Sequence, residues 1–282
     1  MAIYGMTTGR NEGGYIRDTL DNWGAICDGG IFVYCDDSED ATPGLCRPHE
    51  AVREVISSNL YDEDRGRMEW YKRQMLFNSI ARFADPLKDW LALFDADEHL
   101  VDGFDLSLLD NPDINAIEPR IWDMYITTED ADLRPYIDPQ CYMKRQWCST
   151  RYRQFPFFIR FDPRMKWWLR NQHLPSFDPQ RGECVSHGDV KHWARGFSVE
   201  NCERKSAYYA AEWPEYAEHW KALIGKSIKE DYMDDNNYPL VKWGNRLAAE
   251  TSKISLDQEW RRPSTPSLTQ AHFPRIAPVA GV

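Results

Sequence analysis

Long apolar runs are missing from this chain of 282 residues. None approaches the roughly 18 to 20 consecutive apolar residues needed to span a bilayer. The N-terminus also lacks a basic-then-apolar leader pattern. The expectation is therefore a soluble, cytoplasmic protein with no integral membrane association. Positive charge is short as well. The 34 Lys and Arg stand against 45 Asp and Glu, a formal net charge of -11. That balance excludes a surface that coats nucleic acid or anionic membrane nonspecifically. The seven cysteines, Cys27, Cys35, Cys46, Cys141, Cys148, Cys184 and Cys202, include no CxxC pair, so neither a disulfide framework nor a four-thiolate zinc site is suggested. Cys184 and His187 with His192 lack a fourth zinc ligand at a standard spacing. No internal repeat, low-complexity tract or interdomain linker is visible.

What is present is a hydrophobic fraction of 42%, enough for the core of one large domain, with or without an appendage. Ala2 to Met6 reads as a first strand, followed by the polar turn Thr7 to Gly14. Ile16, Leu20, Trp23 and Cys27 then recur at helical spacing. Ile31 to Cys35 is a second buried strand, ending in the acidic stretch Asp36 to Asp40 and Thr42. Met68, Tyr71, Met75, Ile80 and Phe83 mark a helix over about 66 to 83, which leads into the apolar run Trp90 to Phe94. Alternating strands and helices over the first hundred residues point to a mostly parallel sheet.

The run Trp90 to Phe94 ends in Asp95-Ala96-Asp97-Glu98. Two carboxylates at the end of a strand buried on both faces stand where an α/β sheet exposes its chemistry. Such a pair can hold a divalent cation against a diphosphate. Farther on, Asn115 to Ile121 reads as a strand with Trp122 to Tyr125 at its exit. Residues 151 to 173 interleave Arg151, Arg153, Arg160, Arg164, Lys166 and Arg170 with aromatic side chains, a mixture that suits sugars, phosphates or nucleobases or simply packs on the sheet. Helices are expected at about 198 to 211 and 214 to 228, and an extended or partly disordered tail from about Arg261.

Arg10-Asn11-Glu12 after the first strand, Asp36 to Thr42 after the second, and Asp95 to Glu98 after a later one resemble the motifs of family-2-like glycosyltransferases of the GT-A fold. Lys191-His192-Trp193, with Ser198 to Lys205 at the head of a helix, resembles a later segment of such sequences. The likeness covers about 1 to 125 well and 185 to 210 loosely. It implies an α/β fold, GT-A-like (Rossmann-like), whose mostly parallel central sheet is flanked by helices and followed by a C-terminal helical and loop extension. It also implies a site in which Asn11, Glu12, Asp36 and Asp37 embrace the nucleoside while Asp95 and Asp97 meet the metal and diphosphate.

Acidic side chains repel a diphosphate unless a divalent cation lies between them, and hard oxygen ligands suit Mg2+ or Mn2+. The family pattern adds a later histidine, for which His192 and then His173 are the candidates. Either is also readable as a packed histidine with a satisfied hydrogen bond. Arg73, on the helix before the metal strand, reaches a phosphate or lies on that helix's solvent face. An inverting transfer requires a carboxylate base. Asp123 and Glu118 are the nearest after the metal motif, and either is readable as a solvated acid or a salt-bridge partner.

The implied activity is transfer, with inversion, of a hexosyl or pentosyl group from a nucleoside diphosphate donor, a uridine diphosphate (UDP) sugar, to an acceptor hydroxyl. Residues 1 to 125 would form the donor half and 126 to 230 the acceptor-binding and metal-completing half, with 231 to 282 as the extension. The acceptor is a saccharide or a hydroxylated base in phage DNA, in a bacterial or phage-infected host cell. A nucleotidyltransferase would share the carboxylates but need a glycine-rich basic loop, and Gly13-Gly14 has only Arg10 and Arg17 near it. A noncatalytic glycan- or nucleic-acid-binding protein would bind its partner unchanged in chelator.

Overall fold

The computed structural model describes residues 1–58, 65–101, 103–130, 141–168, 171–176, 182–212, 216–249 and 252–253. Four neighbouring strands run parallel, three of them apolar runs buried on both faces and the outermost only half-buried. In chain order these are β1 (Ile3–Gly9), β2 (Gly30–Asp36), β3 (Val52–Ser58) and β4 (Trp90–Leu93), arranged in space as β3-β2-β1-β4. Gly5 lets β1 and β2 lie this close, since a Cβ there would stand 2.9 Å from Ile31 Cγ1. Strand alternation sends Ile31, Val33, Trp90, Ala92 and Phe94 to one face and Phe32, Tyr34, Leu91 and Leu93 to the other. Helix α1 (Ile16–Gly24) covers the first face through Ile16, Leu20 and Trp23. After the short α2 (Thr42–Cys46), helix α3 (Arg65–Ile80) covers the second through Leu76, Phe77 and Ile80.

Beyond β4 the sheet becomes mixed. The further strands are β5 (Glu98–Leu100), β6 (Ile114–Thr127), β7 (Trp147–Gln154) and β8 (Phe158–Arg160). β8 sits antiparallel between β4 and β6, and β7 is antiparallel to β6. The strands β9 (Lys166–Trp168) and β10 (Asn171–Ser176) form a separate two-stranded sheet. β11 (Glu183–His192) runs parallel to β6 and antiparallel to β5, and the helices α4 (Val199–Glu212) and α5 (Ala217–Leu223) follow it. The chain leaves β1 toward β2 on one side and returns as β4 on the other. Their carboxyl ends therefore flank the crevice where an α/β sheet binds its ligands.

The α/β architecture with a large central sheet matches the sequence reading, and its parallel character is concentrated in β1 to β4. Several local expectations are corrected. Trp122 to Tyr125 lie inside β6 rather than at its exit, because Trp122 and Met124 are buried and the strand is bonded on both sides, to β7 and β11. The buried face of α3 is Lys72, Arg73, Leu76, Phe77 and Ile80, while Phe83 is 42% exposed. The last helix, α5, is shorter than the expected 214 to 228. Phe155, Phe157, Phe158 and Phe161 of the basic-aromatic segment belong to the core. Arg160 is spent on the carbonyls of Leu87, Asn111 and Ile114, and Arg164 on Asp162. These phenylalanines are therefore closed to stacking with nucleobases. The tail from Arg261 lies outside the described residues.

Candidate functional site

The loops after β1 and β2 are tied together by short polar side chains. Asn11 N–H donates to Ser38 Oγ at 3.1 Å, Glu39 N–H to Asn11 Oδ1 at 2.9 Å, Gly13 N–H to Asp40 Oδ2 at 2.9 Å and Glu12 N–H to Thr42 Oγ1 at 2.8 Å. Asp40 also receives Thr42 N–H, so its carboxylate is the clasp of the two loops. Asn11 and Asp37 both take left-handed backbone conformations, with φ of 58° and 43°. Asn and Asp tolerate that region better than other side-chain-bearing residues, and strained backbone concentrates at binding sites.

Asp95 to Glu98 form a turn closed twice. Glu98 N–H donates to Asp95 O at 3.1 Å, and Asp95 N–H donates back to Glu98 Oε2 at 2.8 Å. Trp23 braces the turn from α1, stacking on Phe94 at 4.3 Å and donating its indole N–H to Glu98 O at 2.8 Å. Glu98 is buried, and Oε1 has no hydrogen-bond partner. Burial first, and the neighbouring Asp95 charge second, push its carboxyl up to about 8.

A backbone ladder delivers the histidine. β5 pairs with β11 so that Glu98 stands opposite His192, and Trp193 N–H donates to Asp97 O at 2.8 Å. Asp97 Oδ1 then faces His192 Nε2 across 3.5 Å. On the other side of the ring, Nδ1 donates to Asp123 Oδ1 at 2.5 Å, and Arg153 donates to the same oxygen at 2.8 Å. Nε2 is thereby the nitrogen aimed at Asp97. From α4, Lys205 Nζ donates to Asp97 Oδ2 at 2.8 Å and stands 3.4 Å from Glu12 Oε1. Tyr15 OH donates to Glu12 Oε2, completing a buried chain of charge.

These groups set one another's ionisation. Burial alone would raise the Asp97 carboxyl, but the Lys205 and His192 charges hold it well below the usual carboxylate range. Burial would lower His192, yet Asp97 and Asp123 push it up to about 10. Asp123 is likewise drawn below its ordinary value by Arg153 and His192, against burial. Burial dominates at Glu12 and raises its carboxyl, while Lys205 opposes the rise.

The donor set fits a divalent cation shared with a ligand. Two side-chain atoms 3.5 Å apart, Asp97 Oδ1 and His192 Nε2, stand about half an ångström wider than the roughly 2.8 to 3.1 Å between adjacent ligands of an octahedral ion, so a small approach of the two would let both ligate one cation. His192 is oriented by a carboxylate on its far nitrogen, as metal-binding imidazoles commonly are. Among the described residues no group of three His, Cys, Asp or Glu side chains stands ready to hold a cation alone. Phosphate oxygens would supply the remaining positions, as is usual for Mg2+ sites.

The site residues named from sequence divide into those gathered here and those elsewhere. Asp95 is partly exposed, and Arg73 Nη2 donates to its Oδ1 at 2.8 Å. Arg73 is itself buried, not on the solvent face of α3, and its Nε has no partner. Asp36 is neutralised by Lys72 at 2.6 Å, and Asp37 is exposed at the loop's turn. Glu118 lies five residues before Asp123 on β6, with Lys253 Nζ at 3.9 Å, so the structure does not bring it to this cluster. His173 falls in β10, of whose side chains nothing is described. Lys205 and Arg153 were not singled out as site residues from sequence. For Lys205 the signal available was its place at the end of the Ser198 to Lys205 segment.

No family profile and no curated protein sequence matches the chain. Among solved structures it is similar to glucosyl-3-phosphoglycerate synthase from Mycobacterium tuberculosis in complex with Mn2+, UDP and glucosyl-3-phosphoglycerate. That likeness has 14% identity and a TM-score of 0.35 over 86% of this chain and 87% of that one. Against the same synthase with Mn2+, UDP-glucose and phosphoglyceric acid the values are 17% and 0.29, over 47% of each chain. A mycobacterial protein gives 12% and 0.37, over 86% of this chain and 83% of that one. In three superpositions on that synthase, with TM-scores of 0.29 to 0.30, the chain spans about half its length, 44% to 50%. Among the described residues no helix is long and apolar enough to cross a membrane.

Proposed function

We propose that this chain is a metal-dependent glycosyltransferase of the GT-A type, moving a sugar from a nucleoside diphosphate, most simply UDP, to an acceptor hydroxyl. The observation that carries the reading is the meeting of Asp97 Oδ1 and His192 Nε2 at the carboxyl edge of the sheet, beside the left-handed turns at Asn11 and Asp37. In this reading the loops after β1 and β2 hold the nucleoside, and Asp97 with His192 holds Mn2+ or Mg2+ against the diphosphate. When bound, the cation neutralises charge developing on the departing diphosphate. Arg73 fixes Asp95 and lies close enough to the turn to balance further phosphate charge. A saccharide hydroxyl is the acceptor in this reading.

Asp123 acts through His192 here. A carboxylate drawn low by Arg153 and His192 is a weak base, but a strong acceptor for the imidazole N–H that fixes the ring. Asp123→Asn is therefore expected to weaken Mn2+-dependent UDP binding by about ten- to hundredfold, the usual cost of losing a group that orients a metal ligand. Calorimetric titration reads this directly, and an unchanged affinity would remove the orienting role.

The proposal itself is tested by titrating nucleoside diphosphates and nucleotide sugars with Mn2+ present. One diphosphate is expected to bind, to lose affinity in excess chelator, and to fail to bind the Asp95→Asn/Asp97→Asn double variant. Equal binding with and without chelator would overturn the metal-dependent reading. Absence of binding to every nucleotide would overturn the transferase reading as a whole.

A further inference from the structure

Lys205 is the buried cation at the centre of this site. It sits on the inner side of α4, its ammonium 2.8 Å from Asp97 Oδ2 and 3.4 Å from Glu12 Oε1 and 5.3 Å from the Tyr15 ring centroid. Lysine buries its ammonium only when opposing charge is at hand, and here it has two carboxylates from two loops. The ammonium touches one oxygen of Asp97 while the other faces His192. It therefore occupies the space beside the carboxylate that a divalent cation and its diphosphate would share. A compact, flexible point charge on a four-carbon stem can change partners with little movement, which a rigid guanidinium does less readily.

We propose that Lys205 is a counter-ion that changes partner on donor binding, neutralising Asp97 and Glu12 in the donor-free protein and contacting the diphosphate of a nucleotide once a divalent cation binds Asp97. The inference rests on the transferase reading above and adds to it a diphosphate ligand from α4. It has an electrostatic corollary. A divalent cation alone must share Asp97 with an ammonium and is repelled by it, whereas a cation arriving with a diphosphate gives that ammonium a new acceptor. Cation and nucleotide therefore bind as a coupled pair, each raising the affinity for the other.

Lys205→Met separates this role from a purely structural one, because the two ligands should respond with opposite signs. Mn2+ alone is expected to bind the variant more tightly than the wild type, since the ammonium that shares Asp97 is gone. UDP in the presence of Mn2+ is expected to bind about ten- to hundredfold more weakly, the loss of one charge-assisted hydrogen bond. Uridine, which carries no phosphate, should be little affected. Unchanged UDP affinity in the folded variant, or equal losses for UDP and uridine, would overturn the proposal.

A measurement on the wild type covers the case in which Lys205→Met does not fold. The ammonium resonance of Lys205, followed by NMR in 15N-lysine-labelled protein with Mg2+, should shift on adding UDP and stay in place on adding uridine. A resonance that ignores UDP, in a protein that calorimetry shows to bind it, overturns the Lys205 assignment alone. A wild-type chain that binds no nucleotide at all overturns the transferase reading beneath it.

Discussion

Asp97→Asn is expected to lower transfer activity by at least about a hundredfold, a loss at or beyond the upper end for a group that merely orients a metal ligand. The argument is geometric. One Asp97 oxygen faces His192 at 3.5 Å and the other accepts from Lys205 at 2.8 Å. An asparagine has the same size and keeps one carbonyl oxygen, so packing around the turn is preserved. It loses the charge that draws a hard cation, and it leaves Lys205 with Glu12 alone, at 3.4 Å. Asp95→Asn should cost less, because Asp95 Oδ1 is engaged by Arg73 rather than by the histidine. Release of nucleoside diphosphate from the sugar nucleotide identified by titration gives the rates, and a thermal melt confirms folding. A folded Asp97→Asn variant within about threefold of wild type would strip Asp97 of its metal role.

Trp23→Ala should produce the largest change in stability, about 3 to 5 kcal/mol, the range for removing a fully buried large aromatic. Trp23 stacks on Phe94 at 4.3 Å with the rings 2° from parallel, and it lies 5.9 Å from both Phe157 and Phe158. It also donates to the carbonyl of Glu98, the closing residue of the turn that begins at Asp95. Trp23→Phe keeps most of the packing and removes only this donor, so it should cost about 1 to 3 kcal/mol. Denaturant unfolding of the two variants separates the contributions. If both lose the same amount, packing contributes nothing measurable beyond the hydrogen bond and the bracing argument falls.

The first half of the fold was legible because its strands are buried on both faces and so appear in the sequence as unbroken apolar runs. Ile31 to Cys35 and Trp90 to Phe94 were found this way, and the acidic residues that follow them fall at the edge where they were expected. β3 was not foreseen, because its residues are only half-buried and its run is interrupted by Arg53 and Glu54. The face of α3 was misread for a related reason. The spacing of apolar residues gave Lys72 no role and left Arg73 between a phosphate contact and the solvent face, yet both are buried, against Asp36 and Asp95. Lys205 escaped notice in the same way, since its partners lie on loops far away in the chain. Periodicity reports where apolar surface goes and says nothing about a cation buried by a distant carboxylate. The basic-aromatic segment was readable either way from its composition, and the structure places Phe155, Phe157, Phe158 and Phe161 in the core while Arg160 bonds carbonyls and Arg164 an acid.

The pairing of β5 with β11 has an evolutionary corollary. Glu98 and His192 are opposite rungs of one ladder, and Trp193 N–H is bonded to Asp97 O. The spacing of the two candidate metal donors is thus written in peptide geometry, and a slip of one rung would turn His192 to the other face of the sheet. A change of length in the surface loops between those two strands would leave that backbone pairing, and with it the placing of the two donors, in force. In the transferase reading proposed above, the acceptor side could then change while the pair of candidate metal donors stays fixed.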